Sequence, residues 1–275
     1  MTPHDDVGFS RLASRLAQRA GLRLDAYKPK CLRRRIAVRM RACNVKTYDE
    51  YLVVLDQRPE EYQKLADAIT INVTKFFRNR ELWDRLQKDI VEELLAEPPR
   101  VVRIWSAGCA SGEEPYSVVM LFAAVARDLG RPQWIERVLV EATDIDRLSL
   151  ERARKAWYPD AAFSETPPGM LERYTMPAVE GGRLVVEDIR RRVRVERLDL
   201  VRQAPVRHGY DLILCRNALI YFDRPTQDRL FLTFADALRP GGYLVLGKVE
   251  TVLGPARERL ELVDPRERIY RRPAA

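Results

Sequence analysis

The amino-acid sequence predicts an α/β fold, in which a doubly wound, mostly parallel sheet follows a small all-helical domain and carries a small antiparallel β insert. The sheet is predicted because short apolar runs alternate with amphipathic helical runs from residue 100 onward, a pattern typical of parallel strands covered by helices on both faces. The helical domain is predicted because residues 9–69 show apolar residues at helical spacing and no strand-like alternation.

The helical domain is expected to occupy residues 1–69. Within it, Leu32, Ile36 and Met40 share one face of a helix that begins near Pro29. A linker and a further helix are expected to fill residues 70–98, where prolines end the helical pattern.

The second domain is expected to span residues 99–275. Its predicted elements alternate along the chain: strand 100–105, helix 113–128, strand 137–142, helix 146–156, strand 210–215, helix 225–238 and strand 242–247. Short apolar runs around Gly181-Gly182 predict the antiparallel insert at about residues 160–197, with strands near Leu184–Val186 and Val193–Val195.

Positive charge is concentrated near the start of the chain. Residues 9–48 hold 12 Lys and Arg against one acid, a net charge of +11, and the remainder holds 36 against 39, a net charge of −3. Such a segment predicts an acidic partner. Five arginines on one predicted helix form the candidate docking surface: Arg33, Arg34, Arg35, Arg39 and Arg41. The alternative is an ordinary solvated face.

The composition excludes several kinds of chemistry. With only His4 and His208, most histidine-based nucleophilic triads are excluded and no metal site is expected. The four cysteines form no C-x-x-C pair, which favours reduced thiols. The first residues show no export signal, and the longest apolar run is too short to cross a bilayer. We therefore expect a cytoplasmic protein that is not inserted in a membrane.

A glycine-bearing turn at residues 106–112 joins a predicted strand to the start of a helix. Such turns bring backbone N–H groups close to a ligand, although many contain glycine only to turn. The dinucleotide pattern G-x-G-x-x-G is absent, and Glu113 and Glu114 would repel a phosphate. The turn, with Gly108, therefore favours a cationic or zwitterionic nucleoside ligand, and S-adenosylmethionine fits this description.

Asp144 ends the next predicted strand, where a nucleoside would present its ribose hydroxyls. The alternative is that Asp144 caps the following helix, although Asp146 is better placed for capping.

Two other segments carry candidate residues. Residues 72–78 contain two adjacent phenylalanines within a polar linker, which indicates either a loop pinned onto a core or a lid whose polar residues face the ligand. Residues 215–222 follow a predicted strand, and ligands of parallel sheets lie beyond the carboxyl ends of strands. Arg216, Asn217 and Tyr221 are thus candidates for the chemistry, with packing as the alternative for Tyr221.

With these segments assembled, the chain resembles the CheR-type chemotaxis receptor glutamate methyltransferases over nearly all of its length. Four ordered segments carry the resemblance: Asn72–Arg78, Trp105–Ser117, Ala142–Asp146 and Cys215–Phe222. The resemblance implies a Rossmann-like methyltransferase sheet. It also implies methyl transfer from S-adenosyl-L-methionine to glutamate side chains on the cytoplasmic helices of chemoreceptors in chemotaxis adaptation. The products would be glutamyl methyl esters and S-adenosyl-L-homocysteine.

The same resemblance implies a set of residues that contact S-adenosylmethionine, to which the turn adds Gly108: Asn72, Thr74, Arg78, Glu114, Asp144, Asp199, Leu200, Asn217 and Ala218. It further implies that Arg78 and Tyr221 lie nearest the transferred methyl group. Whether Arg78 holds the carboxylate of the cofactor or that of the substrate stays open. Lys248-Val249-Glu250 departs from the segment that the family often has at this strand end. In some members the insert grips a tether peptide of the receptor.

Two other functions remain as alternatives. A nucleic-acid methyltransferase could use the basic helix, but that helix has no interleaved aromatic residues for stacking on bases. We therefore expect no nucleic acid as partner, but the cytoplasmic domain of a methyl-accepting chemoreceptor or a related acidic helical signalling protein. A non-catalytic adaptor could bind the cofactor as a sensor, against which the presence of Arg78 and Tyr221 argues. We expect a monomer.

Overall fold

In the computed structural model, the described residues are 3–20, 24–69, 74–96 and 100–274. The chain divides into two compact units. Residues 1–71 and 221–227 form the first unit, and residues 72–220 and 228–275 form the second. The domain boundaries expected from the sequence remain predictions.

Helices build the first unit. They are α1 (Pro3–Ala20), α2 (Pro29–Ala42), α3 (Tyr48–Gln57) and α4 (Pro59–Ile69). The predicted apolar stripe of α2 is buried, with Leu32, Ile36 and Met40 between 0% and 7% exposed. A capping box is present at the start of α3, where the Thr47 hydroxyl accepts from the Glu50 N–H at 3.2 Å.

A buried ion pair joins three of these helices. Glu61 on α4 is 3% exposed, and its carboxylate accepts two hydrogen bonds from Arg39 on α2, at 2.9 and 2.8 Å. The Tyr51 hydroxyl on α3 donates to the same carboxylate at 2.8 Å. Burial raises the pKa of Glu61, but the bonds from Arg39 and Tyr51 outweigh it, so that the pKa is lowered overall.

The second unit alternates helices and strands. Helix α5 (Arg80–Leu86) continues through a π-helical turn (Gln87–Val91) into α6 (Glu92–Ala96). The elements that follow are β1 (Val102–Ala107), α7 (Glu113–Asp128), β2 (Val138–Asp144), α8 (Arg147–Lys155), β3 (Trp157–Tyr158), α9 (Pro168–Tyr174), β4 (Thr175–Pro177), β5 (Arg183–Val185), α10 (Glu187–Arg190), β6 (Val193–Arg197), β7 (Tyr210–Cys215), α11 (Arg224–Ala237), β8 (Leu238–Leu246), β9 (Glu261–Asp264) and β10 (Ile269–Arg271). The first residues of α11 belong to the first unit.

The main sheet confirms the predicted fold class. Its seven strands have the order β6-β2-β1-β7-β8-β10-β9. The first five run parallel, and β10 and β9 are antiparallel to their neighbours. All six residues of β7 are buried, as expected for a parallel strand that is covered on both faces.

The small antiparallel sheet is present, with the strand order β3-β5-β4. Its first strand starts at Trp157, before the expected boundary of the insert. The prediction that Val193–Val195 belongs to this insert is wrong. These residues lie in β6, which pairs in parallel with β2 so that Val193 is opposite Val140. The residues of β6 are half-buried or exposed, as in a strand of a small antiparallel sheet, so the local pattern does not distinguish the two sheets.

Within the described ranges, no helix combines the length and the apolar character that a bilayer span requires.

Candidate functional site

Several of the predicted cofactor residues of the second unit lie at one edge of the main sheet. Strands β6, β2, β1 and β7 are neighbours and parallel, so their carboxyl ends lie side by side. Four of these residues follow those ends, one after each strand or at its last position: Asp199, Asp144, Gly108 and Asn217. This edge is where open parallel sheets bind ligands.

The glycine turn brings β1 close to the segment after β7. The N–H groups of Gly108 and Cys109 donate to the carbonyl oxygen of Thr143 at 2.8 and 2.9 Å. Gly108 has a φ of +81°, and a Cβ at this position would lie 3.1 Å from the Cβ of Ala218. Glycine is therefore favoured here both by the backbone conformation and by the close approach of Ala218.

Asp144 is a buried carboxylate, 8% exposed, that shapes the same turn. Its two oxygens accept from the N–H groups of Ala110 and Asp146, each at 2.9 Å. Burial raises the pKa of Asp144, and these N–H groups oppose part of the rise. Helix α8 is capped by Asp146, whose side chain accepts from the Leu148 N–H at 3.0 Å. The alternative that Asp144 itself caps α8 is thus excluded.

The segment after β6 is tied to Asp144. The N–H of Leu198 donates to the Asp144 carbonyl oxygen at 3.0 Å, which places Asp199 and Leu200 beside the end of β2. The Asp199 carboxylate accepts from the Val201 N–H at 2.9 Å and thereby shapes its own turn.

Glu114 opens helix α7 and is held from two sides. The Ser106 hydroxyl donates to one carboxylate oxygen at 2.8 Å, and Arg216 donates to the other at 3.3 Å. The contribution of Ser106 was not predicted, although it follows Trp105 in the glycine turn. Glu114 and Asp144 thus set two carboxylates around a turn rich in backbone N–H groups.

Residues 74–79 are pinned onto the core of the second unit. Phe76 and Phe77 are 0% and 1% exposed; the Phe76 ring stacks on Phe163 at 4.3 Å between ring centres, and the Phe77 N–H donates to the Ser117 hydroxyl at 3.0 Å. Of the polar candidates in this segment, Thr74 and Arg78 are half-buried, and Asn72 lies outside the described residues. The pinned-loop interpretation therefore holds for the two phenylalanines.

A buried carboxylate holds the loop after β7. Glu250, 4% exposed, accepts from the N–H groups of Asn217 at 2.9 Å, Leu219 at 2.8 Å and Ile220 at 3.2 Å. A fourth bond comes from the Gly247 N–H at 2.7 Å. Asn217 has a left-handed φ of +61°. The departure noted at Lys248-Val249-Glu250 thus retains a carboxylate that shapes the Asn217–Ala218 turn, a role that sequence reasoning did not assign to it.

Tyr221 belongs to the first unit. Within that unit its ring lies under the guanidinium of Arg35, 4.2 Å from the guanidinium carbon to the ring centre. Its carbonyl oxygen accepts from the Lys28 N–H at 2.8 Å.

The five arginines of the predicted docking surface are not equivalent. Arg35 is 6% exposed, so its inclusion in an exposed surface was wrong: the residue lies three positions after Leu32, at the margin of the apolar stripe. Arg39 is engaged by Glu61, and Arg33 pairs with Asp6 and lies over the Phe9 ring. Arg34 and Arg41 are exposed. Together with exposed Lys30 they define the basic face of α2, which also carries exposed Val38.

The strand-end residues fit S-adenosylmethionine. Carboxylates at Glu114 and Asp144 match an ammonium group and a ribose diol, whereas they oppose a pyrophosphate. A Cβ at Gly108 would lie 3.1 Å from the Cβ of Ala218, so glycine lets the turn after β1 approach the segment after β7 closely. Across the described residues, no group of three or more His, Cys, Asp and Glu side chains is arranged to hold a metal ion.

Comparison with protein families gives two matches that together span most of the chain. Residues 72–268 match the S-adenosylmethionine-binding domain of CheR methyltransferase. Residues 8–70 match the all-alpha domain of CheR methyltransferase.

Individual relatives agree with these matches. The chain is 34% identical to a chemotaxis protein methyltransferase of Listeria monocytogenes, over 92% of each protein. It is 32% identical to a chemotaxis protein methyltransferase of Salmonella typhimurium, over 92% of this chain and 86% of the relative. It is also 32% identical to chemotaxis protein methyltransferase 2 of Pseudomonas aeruginosa, over 88% and 85%.

Among solved structures, a TehB-like S-adenosylmethionine-dependent methyltransferase from Corynebacterium glutamicum aligns with 70% of this chain and 93% of its own, at a TM-score of 0.38 and 16% identity.

Proposed function

Because the chain belongs to the CheR methyltransferase family, we propose that it methylates glutamate side chains on the cytoplasmic helices of chemoreceptors. It is an S-adenosylmethionine-dependent methyltransferase of chemotaxis.

One observation carries the proposal: two carboxylates, Glu114 and Asp144, flank the glycine turn at the carboxyl edge of β1 and β2. Asp144 would hold the ribose hydroxyls of the cofactor, and Glu114 its ammonium group. Asn217 and Ala218, fixed by Glu250, would border the same ligand. Bound there, S-adenosylmethionine supplies an activated methyl group on its sulfonium.

A glutamate acceptor agrees with the composition of the chain. The acceptor carboxyl has an ordinary pKa of about 4.3 and is ionised at neutral pH, so no general base is required. The chain has only two histidines. What the protein must supply is removal of water from the carboxylate and its alignment with the methyl group.

Tyr221 and Arg78 are the proposed catalytic residues. The negative charge of the acceptor is neutralised as the methyl group moves onto the carboxylate. Strong binding of the anion would therefore stabilise the ground state more than the transition state. A neutral Tyr221 hydroxyl is suited to orient the acceptor by donating one hydrogen bond. Arg78 would hold the carboxylate of the cofactor or that of the acceptor.

The proposed docking surface for the acceptor helix is the basic face of α2. Receptor helices that bear methylation sites present glutamates, and exposed Lys30, Arg34 and Arg41 would attract them. Val38, 49% exposed between these charges, offers an apolar contact to the same helix.

The experiment combines the protein with methyl-labelled S-adenosylmethionine and cytoplasmic receptor fragments. We expect labelled fragments whose label is released by mild alkali, because carboxyl methyl esters are base-labile. Label that survives alkali would reject a carboxylate acceptor. Label transferred to RNA or DNA at physiological salt, and not to the fragments, would favour a nucleic-acid methyltransferase.

The cofactor site is tested separately with Asp144→Ala, using calorimetric binding of S-adenosylhomocysteine. We expect the Kd to rise by at least about 10-fold, since the variant loses the contacts of a buried carboxylate. The matched control is Asp146→Asn, which keeps a side chain able to cap α8. Unchanged affinity in Asp144→Ala would remove the ribose role of Asp144.

A further inference from the structure

Arg216, the first residue after β7, joins three parts of the second unit. The residue is 9% exposed. One terminal nitrogen of its guanidinium donates to the Glu114 carboxylate at 3.3 Å, and the other donates to the Arg78 carbonyl oxygen and to Oδ1 of Asn79, each at 2.9 Å. A single side chain thus connects the end of β7, the first turn of α7 and the start of α5.

The backbone that Arg216 holds has an unusual conformation. Phe77 and Asn79 both have left-handed φ values, +54° and +66°, which cost non-glycine residues free energy. Asn79 precedes α5 at the capping position, yet its side chain makes no capping hydrogen bond. It is directed to Arg216 instead. The Arg78 carbonyl oxygen also accepts from the Trp83 ring nitrogen at 3.0 Å, so the turn is fixed from two sides.

From these contacts, and resting on the proposed function, we propose that Arg216 is a positioning residue that sets Glu114 and the turn at residues 77–79 in one arrangement for cofactor binding. Glu114 is the proposed partner of the ammonium group, and Arg78 is a proposed catalytic residue in the turn itself. Arg216 needs no contact with the cofactor to act in this way. A guanidinium suits the task because its planar fork places donors on separate nitrogens that reach acceptors on different elements, whereas the three donors of an ammonium share one nitrogen.

The chain offers a matched control. Arg239 in β8 also pairs with a buried carboxylate, Asp211 in β7, but at the first residues of these strands, away from the carboxyl edge. Asp211 keeps a second partner, Arg100, at 2.6 Å. Arg239→Met should therefore lower stability without altering cofactor affinity or turnover.

The test measures S-adenosylhomocysteine affinity by calorimetry and kcat with receptor fragments. For Arg216→Lys we expect a Kd raised and a kcat lowered by about 10-fold to 100-fold, since small misplacements of binding groups cost this much. In Arg216→Ala, added guanidinium ion should restore part of the activity, and methylammonium should not. Wild-type Kd and kcat in Arg216→Lys, or equal losses in Arg239→Met, would overturn the proposal.

A second pair of variants leaves Arg216 in place and keeps the test valid if Arg216 variants fail to fold. Asn79→Gly retains the left-handed conformation but removes the acceptor, whereas Asn79→Asp retains an acceptor. We expect Asn79→Gly to weaken S-adenosylhomocysteine binding and Asn79→Asp to preserve it. In the double variant, the fold-increase in Kd should be smaller than the product of the increases in the two single variants, because both substitutions break the same contact between Arg216 and Asn79. Independent effects of the two substitutions would contradict the proposal.

These measurements distinguish the positioning role of Arg216 from the methylation of receptor glutamates. Binding of S-adenosylhomocysteine requires no acceptor, so the affinities of the variants test Arg216 alone. A wild-type protein that binds S-adenosylhomocysteine but methylates no receptor fragment would contradict the acceptor only.

Discussion

The guanidinium carbon of Arg35 lies 4.2 Å from the centre of the Tyr221 ring, and the same group donates a hydrogen bond to the Ile69 carbonyl oxygen. With the residue only 6% exposed, water competes little for this cation. A cation over an aromatic face favours one placement of the ring. Arg35 is therefore a support for Tyr221 rather than part of an exposed docking surface.

Substituting Arg35 should reduce turnover more than it reduces cofactor binding. We expect Arg35→Met to lower kcat by about 10-fold, since a buried cation–π contact contributes about 1 to 2 kcal/mol. The measurement is the initial rate of receptor-fragment methylation at saturating S-adenosylmethionine. Arg19→Met, at an exposed position of α1, is the control. A kcat equal to that of the control would contradict a supporting role for Arg35.

Gly108 should tolerate no side chain without loss of cofactor affinity. Gly108 and Gly130 both have positive φ, +81° and +69°, but a Cβ at Gly130 meets nothing within 4 Å. We expect alanine at either position to lower the free energy of unfolding by about 1 kcal/mol. Only Gly108→Ala should also weaken S-adenosylhomocysteine binding, because its Cβ would press on Ala218. Equal affinities in the two variants, measured by calorimetry, would reject this close approach as part of the site.

The basic face of α2 should govern the affinity for the acceptor and its salt dependence. We expect Arg34→Glu and Arg41→Glu to raise the KM for receptor fragments by about 10-fold at low salt, and the difference from wild type to shrink at high salt, because exposed charges are screened. Affinity for S-adenosylhomocysteine should not change.

Lys64→Glu provides the control for net charge, since Lys64 is exposed on α4. If it raised the KM as much as Arg34→Glu does, the effect would come from the overall charge of the protein and not from this face.

The Glu61 ion pair should make the first unit sensitive to acid. The pKa of Glu61 is lowered from 4.5 in the folded protein, so the carboxylate contributes stability above its unfolded pKa and loses it as the pH falls through the folded one. At pH 7 we expect Glu61→Gln to cost about 2 to 3 kcal/mol, since half-buried Arg39 loses its charged partner.

Urea unfolding at several pH values checks this prediction. The difference in unfolding free energy between wild type and Glu61→Gln should narrow below pH ~4.5. Glu60→Gln, at the exposed neighbouring position, should show little difference at any pH. A Glu61→Gln difference that stays constant with pH would show that the carboxylate charge is not what stabilises the helices.

Local patterns were sufficient to predict four strands of the main sheet, β1, β2, β7 and β8, and helices beside them, but not β9 and β10. The predicted helix 113–128 is α7, and the predicted strand 210–215 is β7. The assignment of Val193–Val195 failed because its alternation fits two sheets equally, and only pairing with Val140, about fifty residues earlier, decides between them. Register between distant segments is not written in a local pattern.

In the candidate site, too, local sequence patterns predicted some residues, and only contacts between distant segments decide the role of others. Gly108 and Asp144 were found from their places beside strands, and the structure places both at the carboxyl edge of the sheet. Arg34 and Arg35 are neighbours of the same residue type, and only packing within the first unit separates an exposed cation from a buried one. The role of Glu250 in holding the loop after β7 was not predicted, because its four N–H partners come from that loop, some thirty residues earlier, and from Gly247.

The first unit contains residues 221–227 as well as the start of the chain, and this has a consequence for truncation. Tyr27 packs against Phe222 at 4.9 Å between ring centres, and the Asp223 N–H bonds to the Ala26 carbonyl oxygen at 2.9 Å. No single cut of the polypeptide separates the two units. A fragment beginning at residue 72 would keep Tyr221 and Phe222 but lose the helices that cover their rings. Such a fragment would expose apolar surface and would be prone to aggregation.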